Sequence, residues 1–112
     1  MAMTPEAKVK KEVVKQLKAL DAYYFFPATG GYGKSGVPDV VGCYNGNFFG
    51  IECKAGKNTP TALQEMNLKE IANSGGISLV INEKNVKYVS QILTGRYAHP
   101  DQVGNKPIEE QI

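Results

Sequence analysis

Long apolar runs are missing from this sequence. No stretch approaches the ~20 apolar residues that a membrane-spanning helix needs, so a helical membrane protein is excluded and no membrane partner is expected. Lys8, Lys10 and Lys11 break the first apolar positions, unlike a secretory signal, and the expectation is an intracellular, cytoplasmic protein. Cysteine is scarce: Cys43 and Cys53 are the two, and both sit in apolar runs. That count excludes a disulfide framework and reads as reduced core thiols, with nothing in the pattern that supports a bond between them. The one histidine, His99, falls in a polar tail and is a poor candidate for catalysis. Internal repeats and low-complexity segments are lacking as well. The net charge is only +2, so neither sign dominates.

What is present is an ordinary globular composition, 42% hydrophobic and 21% charged, in 112 residues, enough for one domain with a modest core. Lys8, Lys10, Lys11, Lys15 and Lys18 crowd the first segment. They make either a solvated helix surface or a basic face that meets phosphates. Thr4-Pro5-Glu6 predicts a helix start, and Val9, Val13, Leu17 and Leu20 continue at helical spacing, with Val14 alongside. The aromatic run Tyr23–Phe26 predicts a strand that ends at Pro27. A glycine-rich loop over residues 29–36 leads to a strand from Val37 to Tyr44. Asn45-Gly46 is a hairpin signal, and Phe48–Lys54 is the antiparallel return. Thr59-Pro60 opens a second helix with Leu63, Met66, Leu68, Ile71 and Ala72 on its apolar side, stopped by Gly75-Gly76. Ile77–Ile81 predicts a buried strand and Asn85–Leu93 a third helix, after which the chain is polar with Pro100 and Pro107. The class is mixed α/β with a hairpin at its centre.

Chemistry concentrates on that hairpin. Asp39 begins one strand, and Glu52 and Lys54 end its partner, so the turn at Gly46 brings them together. Glu52 and Lys54 share a face, while Ile51 and Cys53 share the opposite, apolar one. An isolated E-x-K is common on solvated sheets, but here it closes an apolar strand paired with V-P-D. Two carboxylates held close repel, and burial raises their pKa values. A divalent cation removes the repulsion, and few oxygen ligands with open positions suit Mg²⁺ or Mn²⁺. With a lysine beside the metal, the set is suited to phosphodiester hydrolysis.

Gly36-Val37-Pro38-Asp39, followed thirteen residues later by Glu52-Cys53-Lys54, resembles the PD-(D/E)XK nuclease signature, and more narrowly the VRR-NUC (virus-type replication-repair nuclease) group. The resemblance runs from Glu6 through about Ile81, and the length is similar to short stand-alone members found in phages. It implies a restriction-endonuclease-like core of helix, three-strand meander, helix, strand and helix, with the nuclease domain over residues 1–97. The polar tail 98–112 would then be loosely ordered or contact a second subunit. By the same resemblance, Asp39 and Glu52 are metal-binding acids, the Cys53 backbone carbonyl is a further ligand, and Lys54 is the catalytic lysine. Glu6 matches an acid near the metal, directly or through water, and Gln64 a polar position that shapes the site. Each has a plain alternative: helix-start electrostatics for Glu6, an exposed helix residue for Gln64. The implied activity is endonucleolytic cleavage of branched DNA, such as Holliday junctions, by a homodimer working in DNA repair in a phage or prokaryotic host cell.

Ala28 and the later Gly33-Lys34-Ser35 fit a relaxed phosphate-loop pattern, but a strand follows where such a loop must lead into a helix. A nucleotide cofactor is therefore not expected. Lys34 and Ser35 are instead candidates for DNA phosphate in a flexible flap, as are Lys8 and Lys11 on the first helix; the alternative is a plain surface loop. Tyr23, Tyr24, Tyr32 and Tyr44 read first as packing residues, with base stacking as the alternative. Two other functions stay open: a non-catalytic or regulatory DNA-binding module on the same fold, and a restriction-type or exonuclease activity. No dedicated element for base readout is visible.

Overall fold

The computed structural model describes residues 3–28, 33–95 and 102–104. The chain forms a mixed α/β domain. Helix α1 spans Pro5–Ala19, and Thr4 caps it by accepting from the Ala7 amide at 3.1 Å. Strands β1 (Tyr23–Phe25), β2 (Val40–Tyr44) and β3 (Asn47–Cys53) follow as an antiparallel meander. Helix α2 (Ala62–Asn73) crosses over to β4 (Ile77–Ile81), which runs parallel to β3. A 3-10 turn, Val86–Tyr88, leads into the short helix α3, Val89–Leu93. Strand β5, Gln102–Gly104, pairs antiparallel with β4 and completes a five-stranded sheet in the order β1-β2-β3-β4-β5. Part of the segment 98–112 that reads as a tail thus belongs to the sheet of its own chain. The rest of that segment with His99, and the loop residues 29–32 with Tyr32, lie outside the described residues. No helix among the described residues is long and apolar enough to cross a membrane.

Several boundaries differ from the sequence pattern, each for a local reason. The second helix starts at Ala62 rather than Thr59, because Thr61 and Gln64 close a reciprocal capping box (Gln64 amide to Thr61 Oγ1 3.2 Å, Thr61 amide to Gln64 Oε1 2.9 Å). β2 begins at Val40, not Val37. Pro38 has no N–H to give a ladder, and its ring packs instead over Gly50. The expected helix from Asn85 is split, because the Asn85 side chain closes a tight turn by accepting from the Asn82 amide at 2.8 Å and donating to the Val80 carbonyl at 3.0 Å. On α2, Leu68 is buried as expected but Leu63 and Met66 are exposed, and Asn67 turns inward instead.

The core lies between the sheet and α1 with α3. Val9, Val13 and Leu17 of α1 meet Val40, Phe49, Ile51, Cys53, Leu79 and Ile81, and Val89, Ile92 and Leu93 close it from α3. Gln16 joins the two helices, donating to the Val86 carbonyl at 2.6 Å and accepting from the Ser90 amide at 2.9 Å. α2 covers the opposite face, where the buried Ser78 hydroxyl donates to the Leu68 carbonyl. The hairpin turn has positive φ at Asn45 (51°) and Gly46 (83°), the geometry of a type I′ turn that the Asn-Gly pair predicts.

Gly42 is where β1 and the Phe49 ring come closest to β2. A Cβ there would stand 2.0 Å from the Tyr23 carbonyl oxygen and 2.6 Å from the Phe49 ring. Gly42→Ala is therefore expected to cost about 3 kcal/mol or more, as overpacking against backbone does, and to lower Tm by on the order of 10 °C in a thermal melt. A melt unchanged within about 2 °C would mean that β1 shifts freely.

Candidate active site

The register sets the site. Val40 pairs with Ile51, so the next positions outward, Asp39 and Glu52, face each other across the β2–β3 ladder. Asp39 is held there by its own side chain: Oδ2 accepts from the Cys53 backbone amide at 2.8 Å. The side-chain alternation is as expected, with Cys53 fully buried among core residues and Glu52 on the opposite face.

Glu52 is the unusual group. Only 2% of it is exposed, and its Oε1 is buried without a hydrogen-bond partner. Lys54 lies alongside, its Nζ 3.6 Å from Glu52 Oε2, close enough for attraction but long for a good hydrogen bond. Burial, and next the neighbouring Asp39 carboxylate, push the Glu52 carboxyl up from 4.5 to about 8; Lys54 only partly offsets this. The two carboxyl groups are near enough to share a proton, and a shared proton or a cation is what two facing acceptors need. The Cys53 thiol is likewise pushed up to about 12, chiefly by burial, which makes it an inert core group rather than a ligand.

The facing carboxyl groups of Asp39 and Glu52 are oxygen donors of the kind that fit a small hard cation, whose remaining positions water or substrate would fill. The orphaned Glu52 oxygen is the specific sign of that fit. No third His, Cys, Asp or Glu side chain joins the pair among the described residues, so protein carboxylates would supply only part of the coordination.

The other residues singled out by sequence are placed differently. Glu6 is exposed in the first turn of α1. Its charge and that of Lys10 act on Cys53, on the core side of the sheet, and no hydrogen bond or ion pair among the described residues ties Glu6 to Asp39 or Glu52. Gln64 sits in the capping box of α2, with its Oε1 committed to Thr61. Lys8 and Lys11 are exposed on α1, the helix that covers the face away from Glu52. Lys34 pairs with Glu70 at 2.6 Å, both side chains exposed, so a phosphate would compete only with a weak surface bridge.

The described part of the glycine-rich loop is docked rather than a free flap. Asn67, 4% exposed, donates to the Ser35 carbonyl at 3.0 Å and to the Leu63 carbonyl at 2.9 Å. Gly36 lies so near Leu63 that a Cβ would meet its backbone at 2.9 Å. Asn67 thus steadies the approach to Asp39. Sequence reasoning passed over it, although a polar residue in the i, i+4 stripe Leu63–Asn67–Ile71 was the signal. Glu83 was also missed; its Oε1 accepts from the Gly56 amide at 2.8 Å and ties down the loop that follows Lys54.

Between the glycine-rich loop, α2 and β3 lies a cavity of about 330 Å³ lined by Lys34, Phe48, Asn67, Glu70, Ile71 and Ser74. No protein-family model matches the chain, and no curated protein matches it.

Proposed function

We propose that this chain is a metal-dependent DNA endonuclease of the PD-(D/E)XK type, in the VRR-NUC group, and that it cuts branched DNA as a homodimer. The observation that carries the proposal is the buried Glu52 carboxylate, with one oxygen unpartnered, facing Asp39 and flanked by the Lys54 amine. Such a cluster is costly for stability alone, and perturbed acids gathered with a cationic group are characteristic of functional sites. The order of elements, with the acids at the open end of a central hairpin, supports the same reading.

Asp39 and Glu52 would hold Mg²⁺ or Mn²⁺ together with the Cys53 carbonyl. The bound cation would polarise a phosphoryl oxygen and lower the pKa of an attacking water. Asp39 is fixed by the Cys53 amide, so its carboxylate is already oriented when ligand arrives. Lys54 would stabilise negative charge building on the phosphate. One such site per chain cuts one strand, so paired cuts across a junction call for two copies related by symmetry.

The test is a panel of four-way junction, forked, linear duplex and single-stranded DNAs, incubated with Mg²⁺, Mn²⁺ or chelator. Cleavage is expected in the metal arms alone, first on the branched substrates. If every substrate survives with metal, the enzyme reading fails. Digestion only from free ends, with closed junctions spared, would replace endonuclease by exonuclease.

A further inference from the structure

The sheet carries a second feature on the face that bears Glu52. Along β2, Cys43, Val41 and Asp39 alternate onto that face. The register places Tyr23 and Phe48 on either side of Cys43, and Phe25 and Gly50 on either side of Val41. Glu52 lies beside Asp39 in the next row. Three aromatic residues therefore share one sheet face with the two acids, the nearest, Phe25, about 7 Å along the strand from the Asp39 row.

These aromatics are not packed away. Tyr23 is 70% exposed, Phe25 48% and Phe48 46%. α2 lies over β3, β4 and β5 and does not reach far enough to bury the edge strand β1. The residues that alternate with them lie elsewhere: Tyr24 packs against the core, and Phe26, itself 50% exposed, has the Lys10 amine 4.4 Å from its ring centroid. Tyr23 and Phe25 have ring centroids 6.2 Å apart with planes tilted by 59°, so neither ring is stacked face to face on the other. Bare aromatics on an edge strand favour aggregation, a cost that use as a binding surface explains.

We infer that Tyr23 and Phe25, with Phe48 beyond them, form a stacking platform for the unpaired bases of a DNA strand whose phosphate reaches Asp39 and Glu52. Stacking needs a π-face and no hydrogen-bond pattern, which fits a chain without an element for base readout. Sheet faces bearing two or three aromatics are a recurring way to hold unstacked bases. The inference rests on the nuclease reading for the chemistry at the acids, and it narrows the substrate to DNA with unpaired nucleotides beside the cut.

The sequence has no tryptophan, so Phe25→Trp introduces a single indole reporter. In chelator, where no cleavage is expected, oligothymidylate is titrated into this variant. Quenching of the indole is expected, and a blunt duplex of equal length quenches far less. By anisotropy, Tyr23→Leu/Phe25→Leu, which keeps apolar bulk but loses the π-faces, is expected to bind oligothymidylate about tenfold or more weakly than wild type. Its binding to blunt duplex should be unchanged. Both residues are exposed, and a wild-type melting curve for the double variant verifies the fold.

Wild-type affinity in the Leu variant, or an unquenched indole, overturns the platform. So does a Leu variant that sediments as monomer where wild type is a dimer, since the rings would then cover each other between copies of the chain. If quenching and the tenfold loss are found but no DNA is cut with metal, the platform stands and the nuclease reading falls.

Discussion

Lys54→Met is expected to leave the fold intact and lower metal-dependent cleavage by about three orders of magnitude, the usual effect of losing a group that stabilises transition-state charge. Among the described residues the Lys54 amine is the cation paired with the buried carboxylate, at 3.6 Å from Glu52 Oε2. Its side chain is only 14% exposed, so solvent screens it weakly. Removing it does not strand a charge, because Glu52 already binds a proton readily and will do so more readily without the amine. Folding should therefore survive at neutral pH, and the loss should appear in kcat rather than in substrate affinity. Single-turnover cleavage of a forked DNA, with a thermal melt on the same sample, separates the two effects. A rate within about tenfold of wild type would remove Lys54 from the chemistry.

Glu52→Gln should abolish cleavage and at the same time stabilise the metal-free protein at alkaline pH. The Glu52 carboxyl stands at about 8 in the folded chain against 4.5 for the ordinary group. Between those values the folded chain holds a proton that the unfolded chain releases. Stability from that proton is fully present below pH 4.5 and is lost as pH rises through 8. Glutamine is neutral at every pH, and its amide can donate towards Asp39 where the shared proton would lie. The wild-type and variant stabilities should therefore lie close together in acid and diverge as pH rises. By pH 9 the variant should be ahead by several kcal/mol, at most about 5, since each pKa unit corresponds to about 1.4 kcal/mol. Added Mg²⁺ should narrow the gap by binding the ionised wild-type site and leave the variant unchanged. Urea unfolding from acid to alkaline pH in chelator is the measurement. Parallel stability curves would show that the carboxylate is not penalised by burial.

Both predictions depend on a cluster whose membership was legible in residue order. Val-Pro-Asp, Asn-Gly and Glu-x-Lys on apolar strands imply one hairpin, and a hairpin with a two-residue turn has a single register that aligns its ends. α1 was equally legible, because Val9, Val13 and Leu17 recur at helical spacing behind a Thr-Pro cap. These features are local, and their causes lie within a few residues of one another.

Features set by distant contacts were not legible. Asn67 becomes a clamp only because Ser35, far away in the chain, arrives beside it. The run Tyr23–Phe26 reads as one aromatic strand, and only the packing of α1 and α2 leaves Tyr23 and Phe25 bare while Tyr24 meets the core. The sequence by itself determined the α/β class, the central hairpin and the pairing of Asp39 with Glu52 and Lys54, because periodicity and turn chemistry act over short range. Only the tertiary structure decided how deeply Glu52 is buried, which of its oxygens lacks a partner and which aromatics stay exposed, because burial depends on what the rest of the chain lays over each face of the sheet.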